Sequence, residues 1–164
     1  MKILILGASY GSLLSTKLLM AGHDVTLICR SKSAELINGK GTEVRIKLRD
    51  EESHRAFRSQ DFSGMLDAVT PADARPEDYD MISLAMQEPQ YSEPQVRDLM
   101  QRIAASRKPC LSIMNMPPLP FLRRVDALAE APLEICYDDA TVWADFEPGL
   151  MSLCSPDPQA FRPP

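Results

Sequence analysis

Gly7-Ala8-Ser9-Tyr10-Gly11-Ser12 follows a short apolar run and has the composition of a turn that receives a phosphate group. A backbone-held pyrophosphate needs free N–H groups at a helix N-terminus, where the positive end of the helix dipole also lies. Small side chains permit that approach. Such turns carry glycines at the first, third and sixth positions. Here Gly7 holds the first, Ser9 the third and Ser12 the sixth, with a further glycine at Gly11. A loop one residue shorter would give Gly11 the last glycine's part. Ser9 and Ser12 add hydroxyls that glycine lacks, and Gly11→Val is expected to block a ligand while leaving the fold largely intact. At the end of a second apolar run stand Arg30, Ser31 and Lys32. An acidic residue there would accept from a ribose 2′-hydroxyl. Two cations and a hydroxyl favour a 2′-phosphate instead, and so NADP over NAD.

Ligands in open α/β sheets sit beyond the carboxyl ends of the strands. The other residues at such positions are Met86, Gln87 and Gln90 after one buried run and Asn115 after another. Other chemistries find little support. None of Tyr10, Tyr79, Tyr91 and Tyr137 has a lysine four residues on, which excludes a short-chain dehydrogenase pair. No Ser-His-Asp or Cys-His spacing is present, and Asp138-Asp139 reads as a hairpin turn. His23 falls in a tight turn and His54 has no partner at ligand spacing, so no metal site is read.

The elements that must position these residues follow from periodicity. Ile3 to Leu6 is an apolar strand; a helix from about Gly11 carries Leu13, Leu14, Leu18 and Ala21 on one side and ends at Gly22. Val25 to Cys29 is the second strand, and a short helix at 32–38 ends at Gly39. Residues 43–49 alternate strictly, as an antiparallel edge strand with a charged face does. The polar stretch 50–78 reads as a short strand, a brief helix near 62–68 and a loop. Tyr79 to Ala85 is a buried strand. Ser92-Glu-Pro-Gln95 forms a capping box that opens a helix to about Ser106, with Val96, Leu99, Met100 and Ile103 inward. A strand at 110–114, a helix at 121–129 and strands at 133–137, 140–143 and 150–154 complete the reading. The fold class is α/β, a doubly wound and mainly parallel sheet with helices on both faces and a mixed edge.

The chain has 164 residues, 45% hydrophobic and 25% charged, with a net charge of −5, the size and balance of one globular domain. The acidic balance argues against nucleic acid, and no apolar run reaches the roughly 20 residues of a membrane helix. With a strand from Lys2 no signal peptide is expected. Cys29, Cys110, Cys136 and Cys154 are widely spaced and read as reduced thiols of a cytoplasmic protein. Ten of the 14 prolines fall at or after Pro109, and residues 155–164 have no periodicity, so the domain is read as 1–154 with a linker or chain end beyond.

The opening strand with Gly7-Ala8, Gly11-Ser12-Leu13-Leu14, Ala21-Gly22-His23-Asp24-Val25 and Arg30 resembles the N-terminal NADP-binding domain of the ketopantoate reductase (2-dehydropantoate 2-reductase) family. The resemblance implies a Rossmann-type fold and NADPH-dependent reduction of a small 2-keto acid in pantothenate biosynthesis. It implies that Arg30 meets the 2′-phosphate and that Asn115 lies near the nicotinamide. Thr141-Val-Trp-Ala144 is similar to a Thr-x-x-Ala run of the family, which adds Ala144 to the cofactor-binding set. That set is then Gly7, Ala8, Ser9, Tyr10, Gly11, Ser12, Arg30, Lys32, Met86, Gln87, Asn115 and Ala144. The family's lysine after the third buried strand is here Gln87, and its Asn-Gly pair is Asn115-Met116. Its helical C-terminal domain, with the catalytic lysine, has no counterpart in these residues. The chain is therefore expected to bind NADP(H) without catalysing alone, with a homodimer compatible. Two alternatives stay open: a non-catalytic Rossmann nucleotide-binding module, and an interaction domain whose site has decayed.

Overall fold

Ile3, Leu4, Ile5 and Leu6 are all buried, so the first strand must be covered on both faces. A strand in that position belongs at the centre of a parallel sheet with helices above and below. A computed structural model describes residues 1–48 and 51–154 and shows this arrangement. The chain runs β1 (Lys2–Leu6), α1 (Ala8–Met20), β2 (Asp24–Ile28), α2 (Ser31–Lys40), β3 (Glu43–Lys47), β4 (His54–Arg58), β5 (Leu66–Val69) and β6 (Met81–Leu84). It continues through α3 (Pro94–Ser106), β7 (Cys110–Ser112), α4 (Leu119–Leu122) and β8 (Met151–Leu153), with short 3-10 turns between elements.

The main sheet has the order β5-β2-β1-β6-β7-β8, and all its neighbours are parallel, with Leu4 opposite Thr26 and Ile5 opposite Ser83. Numbered along the sheet's own strands, that is the 3-2-1-4-5-6 order of a dinucleotide-binding fold. Side chains alternate between two cores, because successive Cβ atoms point to opposite faces. Ile3, Ile5, Val25 and Leu27 meet Leu19 of α1 and Ala34 of α2. Leu4, Leu6, Ile82 and Leu84 meet Val96, Leu99, Met100 and Ile103 of α3.

The doubly wound architecture is as expected, but several details differ. The edge is not mixed: β8 runs parallel to β7, and antiparallel pairing is confined to β3 and β4, a separate two-stranded sheet. Leu66–Val69 is a strand of the main sheet, not a helix. Residues 133–136 and 140–143 are 3-10 turns rather than strands. Ile135 is 82% exposed and packs on no sheet, while Tyr137, Val142, Trp143 and Phe146 enter the α3 core. Asp139 caps the second of these turns by accepting from the Thr141 N–H at 3.0 Å, so Asp138-Asp139 is not the hairpin turn that the sequence suggests. The helix read at 121–129 is one turn of α4 and a 3-10 turn at 126–128.

Helix α2 runs through Gly39 and stops at Gly41, whose φ is 70°; Gly22 takes φ 78° after α1, as its position predicts. The face α1 buries is Gly11, Ser15, Thr16 and Leu19, while Leu13, Leu14 and Leu18 are half-buried and Ala21 is exposed. The capping box is not at Ser92: α3 starts at Pro94, and the reciprocal cap joins Gln87 and Gln90 around the 88–92 turn. The expected terminal stretch 155–164 and Arg49 lie outside the described residues.

Burial in the α3 core pushes the Cys110 thiol up to about 12 from an ordinary value of 9.0. A raised folded pKa stabilises the fold below the unfolded value and loses that contribution as pH climbs toward the folded one. Stability to urea is therefore expected to fall between pH 9 and 12, and Cys110→Ala should flatten part of that slope. An unchanged slope in the variant would place its origin elsewhere.

Candidate active site at the strand ends

The carboxyl ends of β1 and β6 lie side by side at the centre of the sheet. The chain leaves β1 toward α1 on one face and β6 toward α3 on the other. A crevice opens where neighbouring strands send their connections to opposite faces.

Gly7 makes the whole connection from β1 to α1. Its φ of 104° and ψ of 106° reverse the chain in one residue, and its N–H donates to the Ile28 carbonyl at 3.1 Å. A Cβ at Gly7 would fall 2.7 Å from the Ala85 carbonyl oxygen and 3.0 Å from Met86 Cγ. Only glycine fits that conformation and that space. The expected loop from Gly7 to Ser12 is thus a single-residue turn followed directly by helix. The first intrahelical donor is Gly11, whose N–H reaches the Gly7 carbonyl at 3.0 Å. Ahead of it stand the N–H groups of Ala8, Ser9 and Tyr10, and Gly7 has no side chain to cap them. Three donors and the positive helix end therefore face outward beside exposed Ser9 and Tyr10.

Gly11 and Ser12 do not share that surface. A Cβ on Gly11 would lie 2.6 Å from Ile5 Cγ2, so this glycine lets α1 pack closely on β1. That is the last glycine's structural part. Ser12 Oγ donates to the Ser9 carbonyl at 2.8 Å inside the helix, which leaves Ser9 as the hydroxyl at the mouth.

At the next strand end, Arg30 is the N-cap of α2, and its carbonyl accepts from the N–H groups of Ser33 and Ala34. The side chains of Arg30 and Lys32 are exposed. On the β6 side, the Met86 N–H donates to the Tyr91 hydroxyl at 3.1 Å and the Gln87 N–H to Gln90 Oε1 at 2.9 Å. The Gln87 side chain is taken up by the reciprocal cap. Asn115 is exposed three residues beyond β7, past Ile113, whose N–H donates to the Leu84 carbonyl at 3.0 Å. Ala144 is set apart: it follows Trp143 on the α3 flank, between Thr141, which Arg97 reaches, and Phe146. Sequence patterns did not mark Tyr91 as part of this site, because nothing in its spacing shows that its hydroxyl returns to Met86. Among the described residues no three His, Cys, Asp or Glu side chains converge on a metal position, and no helix is long and apolar enough to cross a membrane.

Fold and strand-end geometry define a Rossmann-type domain with an uncapped helix end at its switch point. Residues 3–115 match the family described as ketopantoate reductase PanE/ApbA, and the chain belongs to that family of nicotinamide-nucleotide-dependent oxidoreductases. A Ralstonia solanacearum MolK2 structure assigned as a ketopantoate reductase superposes with a TM-score of 0.61 at 15% identity, over 93% of this chain and 44% of its own. A Pyrococcus horikoshii UDP-D-ManNAc dehydrogenase superposes with a TM-score of 0.50 at 16% identity, over 94% of this chain and 35% of its own. At such identities the likeness is one of fold, and the chain spans less than half the length of either structure. Among curated protein sequences none matches the chain.

The close approach at Gly11 reverses the expectation for its substitution. Gly11→Val is expected to destabilise the fold by about 1–3 kcal/mol through overpacking against Ile5. Gly39, inside α2 with nothing within 4 Å of its would-be Cβ, supplies the contrast. Gly39→Ala should stabilise by roughly 0.5–1 kcal/mol. Urea unfolding of both variants checks the pair, and a stable Gly11→Val would refute the packing role.

Proposed function

We propose that these residues form the NADP(H)-binding domain of a ketopantoate reductase-like oxidoreductase that reduces a 2-keto acid such as 2-dehydropantoate, in pantothenate biosynthesis in the cytoplasm. One observation carries the reading. The one-residue turn at Gly7 lays three unpaired N–H groups of α1 at the switch point of a parallel sheet, in a chain of this family. A dinucleotide's pyrophosphate fits there, against the backbone that a Cβ at Gly7 would obstruct. Ser9 adds a hydroxyl at the mouth and Tyr10 an exposed ring.

Arg30 and Lys32 support the 2′-phosphorylated cofactor. The first acid to follow β2 in sequence is Glu35, which lies one turn into α2 with its Oε1 accepting from Ser31 Oγ at 3.3 Å, so residues 29–34 offer no carboxylate to a ribose hydroxyl. When bound, NADPH supplies a hydride to the substrate carbonyl carbon. Asn115 would orient the nicotinamide or donate to the substrate oxygen, but an amide is no proton source for the developing alkoxide. Lys108 lies at the amino end of β7 and Lys32 at the adenosine side, so neither serves. The proton donor and the wall over the nicotinamide are contributed by another domain or a second subunit. A reading as a nucleotide-holding module without redox turnover is favoured only by Gln87, whose side chain is spent on a cap.

Calorimetric titration should show tighter binding of NADPH than of NADH. Arg30→Ala should lower NADPH affinity about ten- to a hundred-fold, the loss of one charged hydrogen bond, with NADH affinity unchanged. Equal wild-type affinities for the two cofactors would remove the 2′-phosphate site.

The 164 residues alone are expected to show no NADPH-dependent reduction of ketopantoate, followed at 340 nm. Turnover that Asn115→Ala abolishes would mean that the site is complete within them.

A further inference from the structure

The β6 side of the crevice is held from behind. Tyr91 is 1% exposed, and its hydroxyl accepts the Met86 N–H. A peptide is planar and trans, so its N–H and its carbonyl point in opposite directions. With the Met86 N–H turned to Tyr91, the carbonyl of the same peptide, that of Ala85, points across at Gly7, where a Cβ would come within 2.7 Å of it. Tyr91 thereby fixes the peptide that faces the Gly7 turn and holds Met86 beside it. Gln90 does the same for the next peptide by accepting the Gln87 N–H.

Tyr91 is itself immobilised. Its ring lies 5.3 Å from that of Trp143, which packs on Phe146 at 5.6 Å and Tyr137 at 6.5 Å. Polar ties lock the same two segments together. Ser92 Oγ donates to Asp138 at 2.9 Å, the Asp138 N–H reaches Glu88 at 3.2 Å, and Arg97 pairs with Asp139 and Thr141. The buttress lies outside residues 3–115, where the family match ends.

We infer that Tyr91, assisted by Gln90, is a positioning residue for the nicotinamide half of the bound dinucleotide. This rests on the proposed nucleotide reading. With the adenosine at Arg30 on the β2 side, the other half must cross the switch point and lie along the β6 loop. The adenosine half makes no use of that loop. Loosening the Ala85–Met86 peptide therefore weakens the whole dinucleotide and spares its adenosine end.

Tyr91→Phe tests this, because it keeps the ring on Trp143 and removes only the acceptor. The full chain is titrated calorimetrically with NADPH and, separately, with adenosine 2′,5′-bisphosphate, which ends before the nicotinamide. The expected result is about a tenfold loss for NADPH and no change for the bisphosphate. Equal losses for both ligands, or an unchanged NADPH affinity, would overturn the assignment. Wild-type protein that binds neither ligand would overturn the nucleotide reading and this inference with it. Should Tyr91→Phe fail to fold, Gln90→Ala leaves the core untouched and must show the same selective loss, and its absence counts equally against the role.

Discussion

The conformation of Gly7 is the constraint on which the rest of the site depends. One residue with a left-handed φ takes the chain out of the central strand and into α1, with the Ala85 carbonyl packed where a side chain would be. Because the turn contains nothing else, the start of α1 is fixed to the residue. Four positions on, one helical turn, Gly11 comes back to the same face and must sit on Ile5. The face α1 buries therefore opens with small residues, Gly11, Ser15 and Thr16, before Leu19 fills the core, and the donors left at its first turn lie beside the crevice. Length of turn, choice of glycines and presentation of N–H groups are one decision expressed three times.

The two walls of the crevice are built differently. On the α1 side the backbone offers donors, and beyond it Arg30 and Lys32 offer charge. On the β6 side the backbone donors are withdrawn, one into the Tyr91 hydroxyl and one into Gln90. Free backbone donors and cationic side chains thus stand on one wall only, and the proposed dinucleotide would take its direction across the sheet from that asymmetry. The second wall takes its rigidity from the aromatic group around Trp143, which belongs to the irregular segment between α4 and β8 rather than to the alternating strands and helices.

The buried strands β1, β2, β6 and β7 were legible as apolar runs, as were α3 and the glycine at the end of α1. The helix N-terminus at Gly7 was legible in kind, but not the fact that Ala8, Ser9 and Tyr10 are already helical. The reason is that a shortened glycine pattern looks the same as a loop until φ is known. Leu66–Val69 escaped because four residues with Asp67 among them carry too little apolar signal; their place in the sheet comes from pairing with β2. The apolar composition of Leu133 to Tyr137 misled in the opposite way, since such a run becomes a strand only where a neighbouring strand exists to pair with it. Tyr91 was invisible because its partner depends on the path of the 88–92 turn, a tertiary fact.

The order of strands also bears on how the chain is made. β1 is the central strand and is synthesised first. Its partner β2 follows within about twenty residues, whereas β6 begins only at Met81. At typical ribosomal rates of roughly 5–20 residues per second, the far edge of Ile3 to Leu6 waits on the order of 4–15 s for its second neighbour. The β3–β4 pair, close in sequence, is a local contact available in that interval, and it uses charged strands set off from the main sheet. Every pairing in the main sheet, by contrast, spans a crossover, so loops must close before the contacts that reward them can form. The architecture that creates a nucleotide crevice at its centre thus leaves its most apolar edge open longest in the nascent chain.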